Sequence, residues 1–219
     1  MIEAVEPRRL LATLPLNPVN PRPITDPDFQ AVPVPRAVLT QGTKVLVVIG
    51  TAGDDEIVLS PGFVNGANRL LVAVNDQQVT IRLRDVIRIT VLGNLGNDEI
   101  RISGDGSLLA TKRVALFGDD RTPFVDAPEG NDSISGFGGR ESLFGGGGND
   151  SLAGLGGNDV IDGGTGNDTL NGGVGNDSLL AGDFSGPFGG NNLMQGSDGN
   201  DTVVGGNNDD TILGGAGND

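Results

Sequence analysis

The sequence predicts an all-β protein, with a parallel β-roll over residues 127–219 preceded by a strand-rich, β-solenoid-like segment over residues 38–126. Two observations predict this class. From Ala127 onward an aliphatic residue recurs every nine residues among Gly, Asn and Asp, whereas upstream short runs of Val, Ile, Leu and Thr alternate with polar residues. Helical periodicity of useful length is absent from the strand-rich segment, so long helices are not expected there.

The two parts differ in charge. Of the net charge of −15, residues 1–126 contribute −2 (15 acidic and 13 basic side chains) and residues 127–219 contribute −13 (14 acidic side chains against Arg140 alone). A glycine-rich chain this acidic repels itself and is expected to stay unfolded until cations neutralise it. The same charge excludes nucleic acid and anionic membranes as partners of the C-terminal part.

Missing residue types exclude further chemistry. The sequence contains no Cys and no His, so it has no disulfide, no thiolate metal site and no histidine general base. Its longest apolar runs are about five residues, far below the ~20 that span a bilayer, so no transmembrane segment is expected.

Residues 1–37 are predicted to form a flexible leader or linker, because eight of the twelve prolines lie within the first 36 residues and exclude helix and interior strand. Pro15 interrupts the short apolar patch near the start, which argues against a standard cleavable signal peptide. The segment resembles the ExxEPRxLL leaders of some bacterial extracellular proteins, and the matching residues are Glu3, Glu6, Pro7, Arg8, Leu10 and Leu11. A terminal segment with no role of its own is the alternative.

Residues 38–126 are predicted to form short strands separated by Gly, Asn and Asp turns. The alternation is clearest in VTIRL, residues 79–83. An antiparallel sandwich fits this pattern, but GTAGDDEIV from Gly50 and GNLGNDEIR from Gly93 look like early copies of the downstream repeat and favour a solenoid. A β-helix, an N-terminal cap and a ligand-binding domain all stay open for this segment.

Residues 127–219 contain a nine-residue repeat whose commonest form is GGxGNDxUx, with U aliphatic. It runs from Ala127 to Leu180 without a gap, is interrupted by six residues, 181–186, and then returns in register. Position six is acidic in every copy except the one with Asn192. The residues at position eight are Ile134, Leu143, Leu152, Ile161, Leu170, Leu179, Met194, Val203 and Ile212.

This repeat is similar to the GGxGxDxUx nonapeptide of the RTX (repeats-in-toxin) calcium-binding proteins. The resemblance implies a calcium-loaded parallel β-roll. It also implies a protein that is exported unfolded and folds when it meets calcium outside the cell.

The repeat length also has a physical reason. Six residues rich in glycine form a turn that points carbonyl groups toward one centre, and three form a short strand with its central side chain inward. Two repeats close a coil of 18 residues, and coils stack about 4.8 Å apart as parallel strands. Acidic residues two repeats apart then face one another, with Asp132, Asp150 and Asp168 on one edge and Asp159 and Asp177 on the other.

Each gap between stacked carboxylates, supplemented by turn carbonyls, offers the all-oxygen shell that Ca²⁺ prefers. Mg²⁺ demands a tighter octahedron, and Zn²⁺ prefers nitrogen or sulfur ligands. We therefore predict several calcium ions, whose binding drives folding. The predicted ligands are Asp132, Asp150, Asp159, Asp168, Asp177, Asp201, Asp210, Asp219 and Glu141.

Other polar residues of the turns receive different predictions. Asn at position five is expected to support the turn instead of binding metal. Because Asn192 is uncharged and follows the insertion, residues 181–195 are the expected break in the metal column. Asp55 and Asp98 belong to the early copies and lie 43 residues apart, so an ordinary turn aspartate and a calcium ligand both stay open for each.

We expect a non-catalytic calcium-binding module of a secreted or cell-surface bacterial protein. The alternative is a C-terminal or central part of a larger secreted RTX enzyme or adhesin whose active domain lies elsewhere, since HExxH and GxSxG motifs are absent here. The Thr ladder of ice-binding relatives is also absent, whereas an extracellular adhesion partner stays open. Because the last repeat stops at Asp219, we expect a longer parent polypeptide.

Overall fold

A computed structural model describes residues 36–40, 44–104, 106–119, 130–182 and 190–219. The predicted leader up to residue 35, with its ExxEPRxLL match, lies outside the described residues. So does most of the insertion at residues 181–186.

The described residues form 17 strands in two sheets, with two short 3-10 helices, Leu83–Asp85 and Ser107–Leu109. In spatial order the eight-stranded sheet contains β1 (Arg36–Thr40), β2 (Val45–Ile49), β6 (Arg88–Asn94), β8 (Arg113–Asp119), β10 (Glu141–Gly147), β12 (Val160–Thr165), β14 (Ser178–Leu180) and β16 (Thr202–Val204). The nine-stranded sheet contains β17 (Thr211–Ala216), β15 (Leu193–Asp198), β13 (Thr169–Val174), β11 (Ser151–Gly156), β9 (Ser133–Phe137), β7 (Glu99–Ile102), β3 (Glu56–Val64), β4 (Ala67–Val74) and β5 (Gln77–Arg82). The predicted all-β class is confirmed.

The chain alternates between the two sheets, and successive strands within each sheet pair in parallel from β2 and β3 onward. This is the two-layer coil expected of a solenoid. Antiparallel pairing occurs at the N-terminal end, where β1 pairs with β2 and β3, β4 and β5 form a meander. A solenoid with these antiparallel additions, and not a sandwich, is therefore the arrangement of the strand-rich segment.

Both sheets continue across the predicted boundary between residues 126 and 127. Strand β8 pairs with β10, and β7 pairs with β9. The described residues accordingly form one compact unit. The boundary marks a change of composition within one stack of coils.

The core is a ladder of aliphatic side chains between the sheets. In the repeats, Leu152 pairs with Ile134 on one side and Leu170 on the other, 18 residues away in each direction. All three side chains are buried, as the nine-residue pattern predicts. In the last described coil Ile212 is 46% exposed, because β17 is an edge strand of the nine-stranded sheet. None of the helices among the described residues has the length and apolarity to cross a bilayer.

Glycine serves the turns in two different ways. At positions two and four of several repeats the backbone is left-handed, as at Gly146 (φ 114°) and Gly148 (φ 107°), where a side chain would be strained. Leu155 and Ser197 nevertheless adopt this conformation at position two, with φ of 73° and 82°. The glycines at position one do not have positive φ, so backbone conformation does not explain why glycine recurs there.

Candidate metal centre

The position-six residues stack in two columns, one at each edge of the coil. The long column lies in the turns that lead into the nine-stranded sheet, and the short column lies in the turns that lead into the eight-stranded sheet. The long column consists of Asp55, Asp98, Asp132, Asp150, Asp168, Asn192 and Asp210. The short column consists of Glu141, Asp159, Asp177, Asp201 and Asp219. The predicted stacking is therefore observed, and it starts earlier than the repeats do.

One of the two oxygens of each column carboxylate accepts a hydrogen bond from the backbone of the adjacent coil. The backbone N–H of Asp132 donates to Asp150 Oδ1 at 2.8 Å, and the backbone N–H of Asp159 donates to Asp177 Oδ1 at 2.8 Å. Because the same bond recurs along both columns, each acidic side chain closes the turn of the coil before it. This bond uses only one of the two carboxylate oxygens.

The second oxygen has no hydrogen-bond donor. It is the Oδ2 atom of Asp98, Asp132, Asp150, Asp159, Asp168, Asp177 and Asp201, and the Oε1 atom of Glu141. These residues are only 1–4% exposed, and within the described residues no salt bridge reaches them. A buried carboxylate oxygen without a partner is costly, and a cation is the group that would satisfy it.

The glycine at position one makes room for this oxygen. A Cβ atom built on Gly145 would overlap both Asp150 Oδ2 and the carbonyl oxygen of Gly163 in the next coil. An equivalent pair of oxygens, Asp159 Oδ2 and the carbonyl oxygen of Gly172, converges at Gly154. Position one is therefore glycine because a carboxylate and a carbonyl approach each other there, which is the donor set of a hard cation.

The raised pKa values of the column carboxylates also favour a cation beside them. Burial, together with the negative charges of Asp132 and Asp168, raises the pKa of Asp150 from 3.8 to about 8. Burial likewise raises the pKa of Asp159 to about 7 and that of Glu141 from 4.5 to about 8. A divalent cation in the columns would reverse these shifts by favouring the charged carboxylates.

Most of the ligand shell would have to come from the backbone. Within the described ranges, no group of three or more His, Cys, Asp or Glu side chains is placed to hold a metal ion. Each gap instead offers carboxylates from adjacent coils together with turn carbonyls such as that of Gly163. An all-oxygen shell with many carbonyl ligands fits Ca²⁺ better than Mg²⁺ or Zn²⁺.

The asparagines at position five form a second series of hydrogen bonds between coils. Its direction is opposite to that of the bonds that the position-six aspartates accept. The backbone N–H of Asn149 donates to Asn131 Oδ1 at 2.6 Å, and that of Asn167 donates to Asn149 Oδ1 at 2.8 Å. These bonds are exposed to solvent. The predicted turn-supporting role thus has a specific form, in which Asn reaches toward the next coil while Asp reaches toward the previous one.

At Asn192 the hydrogen-bond ladder of the long column continues, although the charge does not. Its Oδ1 accepts the backbone N–H of Asp168 at 2.7 Å, as an aspartate would. Its Nδ2 donates to Asp210 Oδ1 at 2.9 Å and to the carbonyl oxygen of Gly190 at 3.1 Å. The amide thus places a donor where the other copies have an acceptor, and a break in metal binding at this residue stays a prediction.

The two ends of the short column differ from its middle. At its start, Glu141 Oε2 accepts the backbone N–H of Phe137 at 3.1 Å, and the buried Phe137 ring covers Gly106 of the preceding loop. At its end Asp219 is exposed, and its Oδ1 accepts the backbone N–H of Asp201 at 3.0 Å. Asp210 at the end of the long column is half-buried. All nine predicted ligands therefore lie in the columns, and the ligand role of each stays a prediction.

Residues upstream of the repeats join the long column, which sequence spacing alone did not indicate. Asp98 has the same unpartnered Oδ2 atom and is 2% exposed. Asp119 is half-buried, and its Oδ2 accepts the backbone N–H of Gly147 at 3.0 Å. The spacings of 43 and 34 residues between Asp55, Asp98 and Asp132 differ from the regular spacing of the repeats, so the sequence pattern does not reveal that these residues share a column.

Comparison with known proteins adds a family to this geometry. The family described as RTX calcium-binding nonapeptide repeat matches residues 127–152, 144–179 and 188–219. Repeats of this family bind Ca²⁺, several ions to each block. No curated protein and no solved structure is detectably similar to the chain.

Proposed function

We propose, from the premise that this chain carries RTX calcium-binding nonapeptide repeats, that it is a non-catalytic calcium-binding module of a secreted or cell-surface bacterial protein. The single observation that carries the proposal is the row of buried carboxylate oxygens without a hydrogen-bond donor in both columns. The ions would lie between coils and be held by the nine acidic residues named above and by turn carbonyls, with Asn192 interrupting the long column.

Calcium binding would be coupled to folding of the repeats. Without a cation, the stacked carboxylates repel one another and lose their hydration, so the repeats gain little from closing. Binding supplies the missing charge at every gap, and it does so only when neighbouring coils are in place. The repeats would therefore stay unfolded at low calcium and fold outside the cell.

A non-catalytic role is supported by the surroundings of the carboxylates. They are buried inside turns and are not side by side in an open cleft. The cavity of about 660 Å³ beside the β4–β5 hairpin is lined by basic and neutral residues such as Arg69, Arg82 and Lys112. This cavity therefore does not place two carboxylates where they could act as general acid and base on a substrate.

The test is calcium titration of the purified full chain, followed by circular dichroism and by isothermal titration calorimetry. We expect β structure to form cooperatively with a midpoint of about 0.1–1 mM, the range of extracellular calcium modules. Chelation with EGTA should reverse it, and Mg²⁺ at the same concentration should not replace Ca²⁺. A β spectrum that is unchanged by EGTA would contradict the proposal, and a submicromolar midpoint would contradict the extracellular switch.

A further inference from the structure

The long column extends upstream of the matched repeats with its chemistry intact at Asp98. The Oδ1 atom of Asp98 accepts the backbone N–H of Asp55 at 2.8 Å, and its own backbone N–H donates to Asp132 Oδ1 at 2.8 Å. The side chain is 2% exposed, and its Oδ2 has no hydrogen-bond donor. Asp98 thus has the same contacts and the same unpartnered atom as the aspartates of the repeats.

The glycine cradle is also present around Asp98. A Cβ atom built on Gly93 would overlap Asp98 Oδ2 and contact the carbonyl oxygen of Gly118 in the next coil. One coil further, Gly118 stands in the same relation to Asp132 Oδ2 and the carbonyl oxygen of Gly145. Carboxylate and carbonyl oxygens therefore converge at Gly93 as they do inside the repeats.

Asp119 adds a carboxylate that the repeats do not have. It lies in β8 in register with Asn94 of β6, at the turn position that glycine occupies in half of the repeats. Burial raises the pKa of both Asp98 and Asp132. The negative charges of Asp132, Asp55 and Asp119, in that order, also raise the pKa of Asp98, and the charge of Asp119 also raises that of Asp132. The described residues place no lysine or arginine in a salt bridge with Asp98 or Asp132.

Asp55 shows what the column looks like where no cation is needed. Its Oδ2 accepts hydrogen bonds from the backbone N–H and the hydroxyl of Thr51, the latter at 3.0 Å. Its Oδ1 accepts the side-chain N–H of Asn75 at 2.6 Å. Both oxygens are satisfied by the protein, so the column ends there with a hydrogen-bonded cap.

We propose that a further calcium site lies upstream of the RTX repeats, between the coils of Gly93 and Gly118, with Asp98 and Asp132 as its carboxylates, Asp119 beside them and the Gly118 carbonyl in its shell. This inference rests on the proposed function, since it assigns the same ion to a place outside the repeats. Its consequence is structural, because an ion at this position ties the strand-rich segment to the β-roll.

The test counts calcium ions bound to the full chain by native mass spectrometry at saturating calcium. We expect Asp98→Asn to bind about one ion fewer than the unmodified chain, and the matched control Asp55→Asn to bind the same number. An unchanged count in Asp98→Asn would overturn the site, and so would an equal loss in Asp55→Asn. If the unmodified chain binds no calcium, the proposed function itself fails, which is a different result.

A second variant covers the case in which Asp98→Asn does not fold, as judged by circular dichroism in calcium. Asp119→Asn leaves both column carboxylates in place and removes only the adjacent charge. We expect it to weaken one calcium-binding step severalfold in calorimetry without changing the number of ions. Binding steps identical to those of the unmodified chain would contradict the role of Asp119 and, with an unfolded Asp98→Asn, the site as a whole.

Discussion

The upstream coils and the repeats fill the same buried position in opposite ways. In the eight-stranded sheet, Leu46, Ile89 and Val114 pair in register with one another, and Val114 pairs with Glu141. The residues that continue this register downstream are Asp159, Asp177 and Asp201. All seven side chains are buried, at no more than 4% exposure.

The difference shows that one coil geometry can be stabilised by two kinds of chemistry. An aliphatic side chain in this position contributes about 1.5–3 kcal/mol through burial and needs no ligand. A carboxylate in the same position costs free energy until a cation joins it. Upstream coils should therefore tolerate calcium removal, whereas the repeats should not, and four measurements test this difference.

Calcium removal should have the largest effect. In EGTA we expect backbone amides of β11–β17 to exchange roughly 100-fold faster, as a cooperative unit opens, because their carboxylates lose the bridging charge. The exchange rates of the amides in β2, β3 and β6 should change far less, because hydrophobic burial stabilises these strands. Hydrogen exchange with mass spectrometry reads both regions in one sample, and equal acceleration in both would remove the distinction.

Loss of one column carboxylate should come next. Asp159→Asn keeps the shape and Oδ1 atom of the side chain but removes its charge, so the calcium-loaded chain should lose about 3 kcal/mol of unfolding free energy at calcium 100-fold above Kd. Urea denaturation in calcium measures the change. The matched control is Asp198→Asn, an exposed carboxylate of a later repeat, for which a loss of similar size would refute the assignment.

The pH dependence should have opposite signs with and without calcium. Because burial raises the folded-state pKa of Asp150 to about 8, Asp159 to about 7 and Asp168 to about 6, protons favour the folded state. In EGTA, stability should therefore rise as pH falls from about 8 to 4 and be lost as pH rises again. In calcium, protons compete with the ion, so acidification should release it. Circular dichroism in both buffers tests the signs, and parallel profiles would contradict them.

The asparagine ladder should have the smallest effect. Asn167 Oδ1 accepts the backbone N–H of Asn191 at 2.7 Å in an exposed position. Asn167→Ala should therefore cost only about 1 kcal/mol of unfolding free energy and leave the number of calcium ions unchanged. A lost ion in mass spectrometry would mean that position five binds metal after all.

Much of this protein is determined by local sequence. The nine-residue period assigns turn and strand, the aliphatic residue at position eight assigns the core side, and a spacing of 18 residues aligns Asp132 with Asp150. These inferences succeed because each coil contacts mainly its neighbours, so that a local repeat specifies the contact. The RTX family match rests on the same local pattern.

Which residues outside the nine-residue period share the column depends on contacts between distant parts of the chain. Asp98 joins it and Asp55 caps it, although their turn sequences look alike, because Asn75 and Thr51 satisfy only Asp55. Asn75 lies 20 residues from Asp55 and reaches it through the β3–β4 hairpin. Whether a buried carboxylate retains a free oxygen depends on such distant donors, and a repeat pattern contains no information about them.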